Sequence, residues 1–280
     1  MIVFDKMQAV GNDFVVIDAT KGLPIYNLKV LTRFICDRHI GIGADGVIFF
    51  EYSRVADFKM RIFNSDGTEA EMCGNGIRCL AKKLYNHKYI EKEEFSIETL
   101  AGIKKVKMYI SETQNEKIEI NMGEVLFGAK SRVAYLPRGF ENSDFVEVKY
   151  KEEIFKLYLV SVGNPHSVCF VNDFNSFNFE EVGKFIENYK CFPSKTNVEF
   201  VQIKNKNSIV VKVWERGVGR TLGCGTGAIA SATAAIKNKF TESDVIVDLE
   251  GGKVEIKEIN NEMYLIGDAK FVYEGKILDL

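Results

Sequence analysis

The sequence lacks an excess of charge of either sign, a long apolar run and an export signal. Its 280 residues include 37 Lys and Arg against 39 Asp and Glu, a formal net charge of −2. This balance argues against a nucleic-acid groove, which needs an excess of cations facing phosphates. The longest apolar runs, such as 14–17 and 47–50, fall far short of the roughly 20 residues that span a bilayer. The first residues show no basic stretch followed by an apolar one, so we expect a cytoplasmic protein that does not bind a membrane.

Metal and nucleotide signatures are also missing. The chain has six cysteines and three histidines, but no Cys-x-x-Cys motif, so a structural zinc site is not expected. No Walker A motif occurs, and no Gly-x-Gly-x-x-Gly fingerprint follows a predicted strand, so we expect no metal and no cofactor. Without an export signal, the six cysteines are expected to be thiols in a reducing cytoplasm.

What the sequence does contain is the composition of a globular protein. Hydrophobic residues make up 46% of it and charged residues 27%, which excludes a disordered or collagen-like chain. At about 150 residues per domain, the length predicts two domains or one large domain.

A long-period repeat organises the chain. Similar segments recur about 151 residues apart, and five such landmarks share one register, which makes coincidence of common patterns the weaker alternative. The paired segments are 11–14 with 163–166, 28–35 with 179–186, 60–63 with 211–214, 73–76 with 224–227 and 100–102 with 250–252.

The repeat predicts two halves of the same fold, each with short strands and two helices. We place the first half at 1–124 and the second at 125–270, with a last strand at 271–280 returning to the first half. No Pro-rich or Gly/Ser-rich linker separates them, so we expect them to pack closely. In each half an Asn, Asn27 or Asn178, precedes a helix-period segment and is expected to be its N-cap.

Two cysteines stand at equivalent places in the repeat. Cys73 and Cys224 each begin a Cys-Gly-x-Gly segment that is followed by a helix-period or Ala-rich stretch. Each cysteine is therefore predicted to lie in a turn that opens a helix. A helix N-terminus offers unpaired N–H groups and a partial positive charge, which lower a thiol's pKa and bind a carboxylate.

Equivalent positions in two halves suggest a reaction that acts on both faces of one carbon. If Cys73 and Cys224 face each other across a cleft between the halves, one thiolate can remove an α-proton while the opposite thiol delivers another. The two helix N-termini would stabilise the charge that builds on the substrate carboxylate. This is the arrangement of a two-base racemase. We interpret the other cysteines (Cys36, Cys79, Cys169 and Cys191) as small side chains that pack in the interior.

The motifs of the whole chain resemble the diaminopimelate epimerase family of pyridoxal-independent amino-acid racemases and epimerases. They occur in the family's order along nearly the full length. The resembling segments are 6–8, 11–14, 37–39, 41–46, 61–64, 66–67, 73–76, 78–79, 163–166, 197–198, 214–217 and 224–227.

The resemblance implies an α+β fold of two similar, pseudo-symmetric domains, each a barrel-like sheet around a central helix, with the active site in the cleft between them. It also implies a cofactor-independent isomerase of lysine and peptidoglycan precursor synthesis that acts as a homodimer on a small amino acid. Cys73 and Cys224 match the catalytic acid/base cysteines, and His166 and Glu215 match groups that set their protonation. Tyr273 resembles a tyrosine at the dimer interface. The residues that match the substrate site are Asn12, Asn64, Gly74, Asn75, Asn164, Asn197, Glu215, Arg216, Gly225 and Thr226.

Four positions depart from the family pattern, one of them Ala9, where a Gly is common. Gly46 stands where many members have Gln, and Arg220 and Gly223 replace Glu and Ala shortly before the second cysteine. If Arg220 faces the site, it favours the Cys224 thiolate; if it faces solvent, it has no such effect.

Alternative functions remain at this point. A sister racemase acting on histidine or a lanthionine-like substrate keeps the chemistry and changes the substrate. A non-catalytic binding module and an isomerase of the phenazine-synthesis type are further alternatives, and the pair of cysteines argues against both.

Overall fold

The computed structural model describes residues 1–22, 27–110 and 116–278. This part of the chain forms four α-helices, nineteen strands and one short 3-10 helix at Gly128–Ser131. The helices are α1 (Leu28–Cys36), α2 (Gly74–Asn86), α3 (Phe179–Glu187) and α4 (Gly225–Lys237). The strands are β1 (Ile2–Ala9), β2 (Asn12–Asp18), β3 (Gly46–Tyr52), β4 (Phe58–Asn64), β5 (Glu69–Ala70), β6 (Glu94–Thr99), β7 (Gly102–Tyr109), β8 (Lys117–Glu124), β9 (Leu126–Phe127), β10 (Phe145–Tyr150), β11 (Glu153–Ser161), β12 (Pro165–Phe170), β13 (Asn197–Asn205), β14 (Ser208–Glu215), β15 (Gly219–Thr221), β16 (Asp244–Leu249), β17 (Gly252–Ile259), β18 (Glu262–Gly267) and β19 (Lys270–Ile277).

The chain divides into two compact units. The first comprises Met1–Asn121 and Ile266–Leu280, and the second comprises Met122–Leu265. Of the segment 271–280 that the repeat assigns to the first half, residues 279–280 lie outside the described residues. In the part of the chain that the structure describes, no helix has the length and hydropathy needed to span a bilayer.

In the first unit the sheet wraps a buried central helix. From β19 the strands run through β1, β2, β3, β4, β6 and β7 to β8; β2–β3 and β4–β6 are parallel and the other neighbouring pairs are antiparallel. Helix α2 is buried at nearly every position up to Leu84. Helix α1 is amphipathic and buries Leu31 and Ile35 against the other face of the sheet.

The second unit repeats this topology. Its strands run β10, β11, β12, β13, β14, β16 and β17; β12–β13 and β14–β16 are parallel and the rest are antiparallel. Helix α4 is buried from Gly225 to Ala235, because its Ala, Gly and Ser side chains let strands approach on all sides. Helix α3 packs Val182 and Ile186 into a separate core on the sheet's other face.

The two units share helix lengths as well as strand order. Helices α1 and α3 each have nine residues, helices α2 and α4 each have thirteen, and each pair lies 151 residues apart. The predicted α+β fold with two similar halves is therefore confirmed. So are the two predicted N-caps: the Asn27 side chain accepts from the Val30 N–H, and the Asn178 side chain from the Glu181 N–H.

Candidate active site

Cys73 is the N-cap of helix α2, as the sequence predicts. Its backbone is extended, and its Sγ accepts a hydrogen bond from the Gly76 N–H at 3.5 Å. A Cβ at Gly76 would lie 3.0 Å from Ile62 Cδ1 and 3.2 Å from Ile48 Cδ1. Only glycine lets the first turn of α2 come this close to an apolar part of the sheet.

Asn12 and Asn75 surround the Cys73 thiol. The Cys73 Sγ lies 3.8 Å from Asn12 Oδ1, to which it donates, and Asn75 Nδ2 donates to the same oxygen at 3.3 Å. The Asn75 Oδ1 in turn accepts from Arg78 Nη2 at 2.8 Å, and Arg78 Nε donates to the Asp268 carbonyl at 3.1 Å. Arg78 is fully buried, and burial lowers the pKa of its guanidinium. These bonds hold Asn12 and Asn75 in place at the start of α2.

A network of charges orients Asn12 from the other side. Asn12 Nδ2 donates to Asp45 Oδ2 at 2.8 Å, and Arg38 contacts both Asp45 and Asp13 at 3.0 and 2.9 Å. The buried Lys6 completes the network with an ion pair to Asp13 at 2.6 Å. Burial raises the pKa of Asp13, but hydrogen bonds from Arg38 and Lys6 outweigh it and hold the pKa at about 2.

Asn64 lies at the exposed end of β4 and is not hydrogen-bonded to the Cys73 cluster. Its Nδ2 donates to Thr68 Oγ1 at 3.0 Å within a turn. Its partner across the sheet is Gly46, where a Cβ would lie 2.7 Å from the Phe63 carbonyl oxygen. The backbone of this chain therefore leaves no room for a Cβ, and so for a Gln, at position 46.

Cys224 is the N-cap of helix α4 and repeats the geometry of Cys73. Its Sγ accepts from the Gly227 N–H at 3.3 Å and lies 3.3 Å from Thr226 Oγ1. Burial raises the pKa of the Cys224 thiol well above its ordinary value, and the charge of Glu215 adds to this; the hydrogen bonds from Thr226 and Gly227 oppose it. Cys224 is therefore a thiol at neutral pH.

A hydrogen-bonded chain leads from Cys224 into the interior. Thr226 Oγ1 is 3.4 Å from Asn164 Nδ2, Asn164 Oδ1 is 3.0 Å from His166 Nε2, and His166 Nδ1 is 2.7 Å from Glu199 Oε1. Glu199 is a functional candidate that the sequence analysis missed. Its signal is a carboxyl group inside the apolar run 198–201, where ionisable side chains are rare unless they are paired.

Asn197, Glu215 and Arg216 form a second cluster of the predicted residues. Asn197 Oδ1 accepts from the Arg216 N–H at 2.9 Å, and its Nδ2 donates to the Pro165 carbonyl at 2.8 Å. The guanidinium of Arg216 is exposed and donates to the Ser194 carbonyl at 2.9 Å. Glu215 accepts from the Thr221 hydroxyl. The remaining N–H groups of the Arg216 guanidinium lie at the surface.

Arg220 does not take the site-facing position that one interpretation allowed. Its guanidinium forms a bidentate ion pair with Glu250 at 2.7 and 3.1 Å, and its side chain is 50% exposed. The groups that shift the pKa of Cys224 do not include it. Tyr273 lies on β19, with its ring edge against Phe4.

Comparisons with known proteins identify the family. The profile described as "Diaminopimelate epimerase" matches residues 4–127 and 158–272. A diaminopimelate epimerase of Methanococcus maripaludis is 41% identical over 278 residues, covering 98% of this chain and 99% of its own. One from Agathobacter rectalis is 41% identical over 282 residues, covering 98% of each.

The chain belongs to the diaminopimelate epimerase family. A probable proline racemase from Agrobacterium radiobacter has the same fold at 15% identity, with a TM-score of 0.74 over 100% of this chain and 94% of its own. The fold of this diaminopimelate epimerase family member is thus shared with a protein of very different sequence.

Proposed function

We propose that the protein epimerises LL-diaminopimelate to meso-diaminopimelate by two-base proton transfer, without a cofactor, in lysine and peptidoglycan precursor synthesis. Its family membership supports this activity. The observation that carries the mechanism is the placement of Cys73 and Cys224 at the N-caps of equivalent helices, each sulfur bonded to a helix N–H group. Inversion of one stereocentre requires one acid/base group on each face of the carbon, and we assign these two roles to the two thiols.

The reaction begins with Cys224 as the acid. Because burial and the nearby Glu215 carboxylate raise its pKa, Cys224 holds a proton. Cys73, whose thiol donates to Asn12 Oδ1 in the structure, first releases that proton to solvent and then takes the α-proton of the substrate as a thiolate. The C–H electron pair passes into the carboxylate, and the carbon then takes the Cys224 proton on its opposite face. The product leaves Cys73 protonated and Cys224 as thiolate, and the reverse reaction uses the same groups in exchanged roles.

Backbone N–H groups bind the reacting carboxylate. Gly74 and Asn75 begin α2, and Gly225 and Thr226 begin α4, where helix N–H groups have no partner within the helix. They stabilise the charge that develops on the carboxylate during proton removal.

The distal amino-acid head is assigned to the second cluster. The exposed guanidinium of Arg216 suits a carboxylate, and Glu215 with the side-chain oxygen of Asn197 suits an ammonium group. The family resemblance adds Asn64 and Asn164 to the residues that hold the substrate. A substrate with only one amino-acid head, the reacting one, would make no use of these groups.

Single cysteine variants in D₂O test the mechanism. Cys73→Ala and Cys224→Ala should each abolish epimerisation, measured by chiral separation of the diaminopimelate isomers with mass analysis of α-deuterium. Cys191→Ala, a half-buried cysteine in the core beneath α3, is the matched control and should retain activity. Epimerisation that persists in both single variants would exclude the two-thiol mechanism. Deuterium uptake into histidine or lanthionine, but not into diaminopimelate, would identify a sister racemase instead.

We also propose that the protein is a cytoplasmic homodimer that includes Tyr273 in its interface. Tyr273 is 46% exposed on β19, and tyrosines that pair an apolar ring with a polar hydroxyl are enriched at interfaces. Sedimentation analysis should give twice the monomer mass, with Tyr273→Ser shifted toward the monomer. An unchanged mass for Tyr273→Ser would exclude this residue from the interface.

A further inference from the structure

We propose that Glu199 is protonated in the resting protein and is a positioning residue: its proton orients a chain of hydrogen-bond donors that ends at the Cys224 sulfur. The proposal goes beyond the assigned site residues and rests on the proposed role of Cys224 as an acid/base group.

The first argument is the burial of the Glu199–His166 pair. Both side chains are 0% exposed, and Glu199 Oε1 lies 2.7 Å from His166 Nδ1. The second carboxyl oxygen, Oε2, has no hydrogen-bond partner among the described residues. An ionised carboxylate would leave charge on this oxygen with no donor to compensate it. A carboxylic acid leaves only a neutral carbonyl oxygen unpaired, which is far less costly.

Burial also favours the protonated form of the Glu199 carboxyl group. It raises the pKa of Glu199, although the nearby His166 opposes the rise. A neutral acid beside a neutral imidazole therefore avoids two buried charges while keeping the hydrogen bond between them.

The proton on Glu199 sets the direction of each bond that follows. If Glu199 Oε1 donates, His166 Nδ1 accepts, so the ring proton is on Nε2 and points at Asn164 Oδ1. Asn164 Nδ2 then donates to Thr226 Oγ1, and the Thr226 hydroxyl proton is left to point at Cys224 Sγ. An ionised Glu199 with a neutral His166 would reverse the chain and turn that hydroxyl proton away from the sulfur.

This direction matters for the proposed reaction. When Cys224 gives its proton to the substrate, its sulfur becomes a thiolate, which a hydroxyl donor stabilises. A neutral Glu199 also removes one negative charge from the surroundings of that thiolate. Burial of Cys224 disfavours its thiolate. The hydrogen-bonded chain therefore assists the step in which Cys224 gives its proton to the substrate.

The first unit shows that the fold does not need an acid at this place. Ile48 lies 151 residues before Glu199, beneath the equivalent glycine of α2: a Cβ at Gly76 would be 3.2 Å from Ile48 Cδ1, and one at Gly227 would be 2.8 Å from Glu199 Oε1. The same position thus holds an apolar side chain in one repeat and a carboxyl group in the other. Structural necessity does not account for Glu199.

Two substitutions test whether Glu199 acts by donating a proton in a hydrogen bond or by carrying a negative charge. Glu199→Gln keeps a donor to His166 Nδ1 and should hold kcat within about threefold of the unsubstituted protein. Glu199→Ile installs the side-chain type of the first repeat, fits a strand, and removes the donor; kcat should fall about 10- to 100-fold with KM changed less than threefold. Circular dichroism melts confirm that each variant is folded.

Nitrogen-15 NMR of the imidazoles provides a readout that does not depend on the substrate. In the unsubstituted protein and in Glu199→Gln, His166 should be neutral at pH 7 with its proton on Nε2; its signals are identified by their loss in His166→Gln. A doubly protonated ring or a proton on Nδ1 would overturn the proposal, as would Glu199→Gln being as slow as Glu199→Ile. Full activity of Glu199→Ile would also overturn it. Failure of the proposed function would instead appear as an unsubstituted protein that exchanges no α-proton of diaminopimelate, with the NMR result intact.

Discussion

Asp13 belongs to the charge network on the Cys73 side of the site, and replacing it with Asn gives a quantitative test. The Asp13 carboxylate pairs with the buried Lys6 at 2.6 Å and with Arg38 at 2.9 Å. Asn keeps the shape of the side chain and removes its charge. The Lys6 ammonium, 8% exposed, then loses its carboxylate partner.

The size of the effect follows from the pKa. A carboxyl group whose pKa falls from 3.8 to about 2 on folding stabilises the folded state by about 2.5 kcal/mol at neutral pH. We expect Asp13→Asn to lower the free energy of unfolding by at least about this amount, since an unpaired buried ammonium adds its own penalty. Because the pKa is lower in the folded state, the contribution is complete above about pH 4 and is lost as the pH falls toward 2.

Urea denaturation at two pH values measures this difference. The gap between the unsubstituted protein and Asp13→Asn should be about 1 kcal/mol smaller at pH 3 than at pH 7. Asp244→Asn, at an exposed aspartate at the start of β16, is the control and should stay within about 0.5 kcal/mol at both. A gap that is the same at pH 3 and pH 7 would refute the assignment of the stabilisation to the Asp13 charge.

Three further predictions concern the second unit. Thr226→Val removes the hydroxyl next to Cys224 Sγ but keeps the backbone N–H, so kcat should fall about tenfold in a steady-state assay while KM holds. Thr233→Val, on the same helix, replaces a buried hydroxyl that has no partner in the described part of the chain; it should leave kcat unchanged and unfold no earlier in urea. Equal rates for the two valine variants would contradict the role of Thr226. Gly183→Ala places a methyl group 2.9 Å from Trp214 Cγ, so it should lower the free energy of unfolding by about 1–2 kcal/mol and alter the fluorescence of this single tryptophan; unchanged emission and stability would show that α3 can shift without cost.

The parts of the fold that were predictable depend on local sequence. A helix N-cap, a glycine that permits close approach and an amphipathic period are all properties of a few consecutive residues. Asn27, Asn178, Cys73 and Cys224 were therefore correctly placed at helix starts. The repeat then supplied the equivalence of the two halves, because its spacing is preserved to within a residue.

Glu199 and Arg78 were not identified, because their importance depends on contacts between distant segments. The parallel register of β12 with β13 pairs His166 with Asn197 and brings Glu199 within reach of the imidazole. No local pattern sets that register. Arg78 reads as an ordinary helix residue until the fold brings the Asp268 carbonyl next to it. The side on which Arg220 lies was likewise undetermined, because its partner Glu250 is 30 residues away.

The antiparallel pairing of β19 with β1 gives the two repeats different histories during synthesis. Residues 122–265 form an uninterrupted unit, so every strand of the second repeat leaves the ribosome before residues 270–277 do. With translation at about 5–20 residues per second, the later repeat can complete its sheet while the earlier one still has an open edge along β1. The half that is translated first is therefore the half that finishes folding last.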